Sequence, residues 1–151
     1  MHSNKFNVEL NNSNILDLFS GIGSFGLECL SRGSSNITFA ENYKNVLPIL
    51  KKNILNLKYQ DNSVIIENDI INNLNFEIFK KKFDIIFMDP PYKEKKLFHI
   101  LNKIIETNIL SSSGIIIIHR HKKEENNFPE KFNIVEEKIY GISKIIFGSY
   151  F

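Results

Sequence analysis

From Leu16 to Gly33 the chain reads Leu-Asp-Leu-Phe-Ser-Gly-Ile-Gly-Ser-Phe-Gly-Leu-Glu-Cys-Leu-Ser-Arg-Gly, and few backbone arrangements satisfy that order. A short apolar strand over residues 14–19, broken only by Asp17, runs directly into glycines 21, 23 and 26. A helix follows through Phe25, Leu27, Cys29 and Leu30. Glycines at this spacing permit a tight turn from strand to helix and let a ligand approach the backbone, while the helix start favours negative charge. Gly33 supplies a left-handed stop. Strand, glycine turn and helix in immediate succession belong to a parallel sheet covered by helices.

The rest of the chain keeps the alternation. Residues 37–40 read as a second strand ending at Glu41. Val46, Leu47, Leu50, Ile54 and Leu57 then recur at helical spacing, with Pro48 requiring a kink or a later helix start. Residues 64–66 make a third strand leading to Asp69, and 72–82 predict a short helix with Leu74, Ile78 and Phe79 inward. Residues 83–88 form a fourth strand, and Leu97, Leu101, Ile104 and Ile105 mark an amphipathic helix. Gly114 opens a fifth strand over 115–118, apolar throughout and therefore central. Beyond the polar stretch 119–127, segments 132–139 and 142–150 alternate and meet at Tyr140-Gly141 as a terminal hairpin. Five β-α units and a hairpin predict a Rossmann-like, doubly wound α/β sheet of seven strands. One domain over 1–151 is expected, with 1–13 as a short lead-in.

Composition narrows the class by exclusion. A hydrophobic content of 42% and a charged content of 24% are ordinary for a globular protein, and a net charge of +2 does not by itself argue for nucleic acid. Of 19 lysines and arginines only Arg32 and Arg120 are arginines, a bias of composition rather than of one surface. The single Cys29 excludes an internal disulfide, and no apolar run approaches about 18 residues. A cytoplasmic protein without a membrane segment is expected. No His/Cys cluster has metal-ligand spacing, so no metal is expected, and His99 and Cys29 read as packing residues.

The fourth strand ends in Asp89-Pro90-Pro91-Tyr92. Proline lacks an amide donor and fixes φ, so the strand stops and leaves Asp89 and Tyr92 on a stiff loop at the carboxyl edge, where open α/β sheets bind ligands. A carboxylate, the Pro90 carbonyl and a flat ring suit a planar substrate bearing an amine: the exocyclic amine of a nucleobase. The glycine turn alone fits a dinucleotide nearly as well as an adenosyl group, and Glu41 stands about 20 residues on, the spacing at which an acid meets ribose hydroxyls. Asp17, placed to meet an ammonium, and Asp69, placed to accept from an adenine amine, tilt the balance. An amino acid, a ribose and an adenine without pyrophosphate make S-adenosylmethionine. Asp17, Phe19, Gly21, Gly23, Glu41 and Asp69 are then cofactor-binding candidates, and Asp89, Pro90 and Tyr92 catalytic ones. Asp17, Glu41 and Asp69 also stand as plain strand-end or surface acids.

Here the chain resembles the bacterial RsmD family, S-adenosylmethionine-dependent guanine-N2 methyltransferases of small-subunit (16S) ribosomal RNA. The block from Leu16 to Gly33, the acid Glu41, Asp89 to Tyr92, and the ending Tyr140-Gly141-Ile142-Ser143 with Phe147 and Tyr150 carry the resemblance, which runs from about residue 14 onward. It implies a class I methyltransferase fold and ribosomal RNA or the small subunit as partner, and a monomer is expected. Family members carry a basic N-terminal segment ahead of the glycine strand, whereas residues 1–13 here contain Lys5 and no arginine. Pro91, Lys93, Lys95, Lys96 and Arg120 are nucleic-acid-binding candidates. His119, His121, Lys122 and Lys123 stand between an RNA contact and an ordinary loop. Two alternatives remain open: an amino methyltransferase of another base in RNA or DNA, and a non-catalytic RNA-binding relic of the fold.

Overall fold

Apolar residues on both faces of the central strands require cover on both sides, and helices supply it. The computed structural model describes residues 10–73, 75–91 and 96–151. Its strands are β1 (Asn14–Leu18), β2 (Asn36–Ala40), β3 (Ser63–Ile66), β4 (Phe83–Met88), β5 (Leu110–His121), β6 (Asn133–Tyr140) and β7 (Ser143–Ser149). Its helices are α1 (Ser24–Ser31), α2 (Leu47–Asn56) and α3 (Leu97–Thr107). The strands form one sheet in the order β3-β2-β1-β4-β5-β7-β6. The first five strands pair in parallel, and β7 and β6 close the sheet antiparallel.

Alternation along the strands divides the core. Leu16, Leu18, Ile86, Met88, Ile116 and Ile118 face α3 through Leu97, Ile100, Leu101 and Ile104. Ile15, Ile37, Phe39, Ile85, Ile115 and Ile117 pack with Leu27 and Leu30 of α1 and Leu50 and Ile54 of α2. At the end of the sheet away from the glycine turn, Asp84 accepts from the Asn14 amide at 2.8 Å and the Ser111 hydroxyl at 3.0 Å, tying β4 to β1 and β5. The Tyr150 hydroxyl accepts from the Leu110 amide and donates to Asn108, fastening the tail to the start of β5. Among the described residues no helix is long and apolar enough to cross a membrane.

Several expectations are corrected. The helix predicted over 72–82 is a single 3-10 turn at Phe76–Ile78. The fully buried Phe76, not the exposed Ile78, anchors it, while Leu74 lies outside the described residues. Asparagines at 72, 73 and 75 favour turns over helix interiors, and the Asn72 amide bonds to Asp69 Oδ1 instead of continuing a helix. The β5–β6 connection also lacks a helix, so three helices, not five β-α units, serve the sheet among the described residues. Gly114 lies inside β5 rather than opening it, at the shift in pairing with β4. A Cβ there would come within 3.0 Å of the Asp84 carbonyl oxygen. Pro48 sits in the first turn of α2, so the later start is the outcome. His99 is exposed on α3, its ring edge-on to Phe98, whereas Cys29 is buried with its thiol pushed up to about 12 by desolvation.

Candidate active site

The glycine turn is held from below before it can hold anything above. Ser20 donates its hydroxyl to the Asp17 carbonyl at 2.6 Å and its amide to the Ala40 carbonyl at 3.2 Å, clamping the turn to the ends of β1 and β2. Phe19 adopts φ 59°, a left-handed conformation uncommon outside glycine, at the point where the chain leaves the strand. Gly21 follows at φ 58°, and a Cβ placed on it would meet nothing within 4 Å. The backbone there faces open space.

That space is a cavity of about 420 Å³ at the carboxyl ends of β1 to β4. Phe19, Gly21, Glu41, Asp69, Asp89 and Pro91 stand on its wall. Both Glu41 oxygens are fixed, Oε1 by the Gly21 amide at 2.7 Å and Oε2 by the Tyr43 amide at 3.0 Å. A carboxylate offers about four lone-pair sites, so two remain for a pair of hydroxyls. Asp69 accepts from the Asn72 amide at 3.0 Å and the Asn72 side chain at 2.7 Å, and Lys96 donates to Asn72 Oδ1 at 3.1 Å.

Asp17 and Gly23 lie beneath this wall rather than on it. Gly23, at φ 91°, starts α1, and a Cβ on it would stand 2.6 Å from Leu50 Cδ1, so its smallness serves the turn and the packing of α2. Asp17 is 1% exposed, and its Oδ1 has no hydrogen-bond partner among the described residues. Burial pushes its carboxyl well above the usual range; a hydrogen bond from the Gly26 backbone pulls back, and the charges of Asp89 and Glu41 push further up. A buried carboxylate oxygen without a donor is costly unless a cation or donor reaches it.

Asp89 borders a second, smaller cavity of about 190 Å³ together with Pro90, His119, Arg120, Ile142 and Ser143. The acid is exposed, and the His119 ring lies against it with Nδ1 2.9 Å from Asp89 Oδ1. Pro91, an expected nucleic-acid contact, stands on the wall of the 420 Å³ cavity. Tyr92, Lys93 and Lys95 lie outside the described residues. Arg120 is a correction. Its side chain is 4% exposed, with Nη2 on Glu124 Oε2 at 3.0 Å and Nε on Asn126 Oδ1 at 3.1 Å, so it braces the 120–126 loop and presents no free guanidinium to phosphates. Tyr43 carries no expectation from the sequence, and His119 is expected there only as an RNA contact or a loop residue, not as a partner of Asp89. The signals are an aromatic ring two residues after Glu41, and a histidine where an apolar strand reaches the edge that carries Asp89.

A parallel sheet in this strand order, an antiparallel β7, a glycine turn after β1 and acids at the ends of β2, β3 and β4 define a class I S-adenosylmethionine-dependent methyltransferase. Residues 2–149 match the family described as conserved hypothetical protein 95, so the match reaches into the lead-in ahead of residue 14. Ribosomal RNA small subunit methyltransferase D of Haemophilus influenzae is 31% identical over 138 residues, covering 88% of this chain and 69% of that protein. The putative rRNA methyltransferase YlbH of Bacillus subtilis is 31% identical over 134 residues, covering 86% and 72%. Among solved structures, a conserved hypothetical protein of Streptococcus pyogenes superposes with a TM-score of 0.82 at 25% identity, covering 98% of this chain and 94% of that one. A putative methylase of Haemophilus influenzae gives 0.80 at 29% identity, covering 93% and 88%. The chain belongs to the RsmD family.

Proposed function

We propose that this chain transfers a methyl group from S-adenosylmethionine to the exocyclic amine of a guanine in small-subunit ribosomal RNA. The observation that carries the reading is the position of Asp89, on the wall shared by the 420 Å³ cavity and the 190 Å³ cavity. One side fits the cofactor: an open backbone at Gly21, free lone pairs on Glu41, a carboxylate at Asp69, and below them the unpartnered Asp17 oxygen. The other side, walled by Pro90, Ile142 and Ser143, suits a planar base. When bound, the cofactor supplies a sulfonium methyl group that is already activated.

The chain's own work is proximity and orientation. The lone pair of a guanine amine is delocalised into the ring. Asp89 and the Pro90 carbonyl, accepting the amine's hydrogens, would localise that pair toward the methyl carbon. Glu41, Asp69 and the Gly21 backbone would hold the cofactor as its methyl carbon passes to the amine nitrogen, the electron pair of the broken carbon–sulfur bond staying with the cofactor. The nitrogen's extra proton passes to Asp89 and thence to water. A base stacked in a duplex could not enter, so an unpaired or flipped nucleotide is the substrate, with Tyr92 as its stacking partner. Lys93, Lys95 and Lys96 are the proposed partners for the phosphates beside that nucleotide. The relatives named for ribosomal RNA methylation support the choice of RNA, and a monomer in the cytoplasm suits it.

The test is methyl incorporation from labelled cofactor into small ribosomal subunits of a strain lacking the modification, against naked DNA. Label at guanine N2 of the ribosomal RNA is expected. Label in DNA or in adenine would replace the reading with the other amino methyltransferase class. No cofactor binding at millimolar concentration would leave only the non-catalytic relic.

A further inference from the structure

Asp89 can direct an amine only if its own carboxylate is fixed, and its strand gives it little help. It follows the last residue of β4, its side chain is 52% exposed, and the next two residues are prolines, which offer no amide to hold it. One described side chain supplies a hydrogen bond: His119 Nδ1 lies 2.9 Å from Asp89 Oδ1. His119 stands near the end of β5, opposite Ile145 of β7, so its backbone is paired on a rigid strand. Its ring forms part of the wall of the 190 Å³ cavity beside Pro90 and Ser143.

We propose that His119 is a positioning residue for methyl transfer. Its Nδ1–H donates to Asp89 Oδ1, holds the carboxylate plane, and leaves Oδ2 to accept from the substrate amine. The assignment rests on the proposed amine methylation at Asp89. It separates His119 from its neighbour Arg120, which is turned into the loop by Glu124 and Asn126. Because His119 acts through Asp89, its loss is felt in the turnover step and not in the affinity for cofactor or RNA.

The experiment measures kcat, KM for unmethylated small subunits and cofactor Kd for the wild-type chain, His119→Ala and His119→Asn. Displacing a reacting group by about 1 Å costs on the order of a hundredfold, so His119→Ala is expected to lower kcat roughly ten- to hundredfold with both affinities within about twofold of wild type. His119→Asn, whose amide can donate at similar reach, is expected to restore most of that loss. His119→Ala turning over like wild type would overturn the assignment, as would a raised KM at unchanged kcat, which would make His119 an RNA contact. Failure of the asparagine variant to recover kcat, with native circular dichroism, would also overturn it. A wild-type chain that binds cofactor but methylates no small subunit would instead overturn the function on which the assignment rests.

Discussion

Asp17 and Asp89 end neighbouring strands in opposite surroundings, and each carboxylate behaves accordingly. Asp89 is open to solvent between two cavities and needs only orientation. Asp89→Ala is expected to abolish methyl transfer while cofactor Kd, read by calorimetry, stays within about threefold, because Glu41, Gly21 and Asp69 keep the other wall intact. Lost cofactor binding would move Asp89 from the acceptor to the donor half of the site. Asp17 is desolvated, with one oxygen unpartnered. Burial disfavours the charge and holds its pKa in the folded chain well above the ordinary carboxylate value of the unfolded chain. Between those two values the folded chain holds a proton that the unfolded chain has released. Stability therefore falls as pH rises through that window. Asp17→Asn removes the ionisation, so its urea midpoint should be flatter with pH above about 4 and higher than wild type near neutrality. A cation supplied to the site favours the charged form, so cofactor affinity in the wild type should rise with pH through the same window and the variant should lose that rise. A variant with the wild-type pH slope in both measurements would remove Asp17 from the cofactor's reach.

Elements were legible where their signal was periodic and misread where it was local. Strands β1, β4 and the middle of β5 announce themselves as apolar runs because both faces are covered, and the hairpin announces itself through alternation around Tyr140-Gly141. The stretch 72–82 misleads because Ile78 and Phe79 stand at plausible helical positions, while three asparagines and the Asp69–Asn72 bond hold the backbone in turns. Arg120 misleads differently: nothing in the order of residues reveals that Glu124 and Asn126 fold back onto its guanidinium. The third glycine of the turn illustrates a constraint that composition alone cannot price. A Cβ on Gly26 would stand 2.5 Å from Phe39 Cε1 and 2.9 Å from Ile37 Cγ2, both fully buried on β2. Alanine in a helix interior gains about 0.5–1 kcal/mol over glycine, whereas forcing an extra methyl into a packed core costs about 1–3 kcal/mol. Gly26→Ala is therefore expected to destabilise by about 1–2 kcal/mol, read as a lower urea midpoint at unchanged slope. Unchanged or increased stability would show that α1 can lift from β2 at no cost.

At the scale of the molecule, the 420 Å³ cavity draws its walls from the ends of four parallel strands that lie side by side in one sheet. A ligand seated there touches the turn after β1, the acid after β2, the loop after β3 and the Asp-Pro-Pro segment after β4. It therefore binds only when all four are in register, and it has no counterpart in the unfolded chain. Such a ligand stabilises by about 2.7 kcal/mol at a hundred times its dissociation constant. A chain of this size moves about 2–4 °C in melting temperature per kcal/mol. S-adenosylmethionine at that excess should thus raise the melting temperature by roughly 5–10 °C. Asp89→Ala and His119→Ala should keep the full rise, since neither removes cofactor affinity, while Asp17→Asn should show a smaller one despite its higher starting point. If all three variants lost the rise together, the two cavities would be one site, and the division of labour between β1–β3 on the donor side and β4–β5 on the acceptor side would fail.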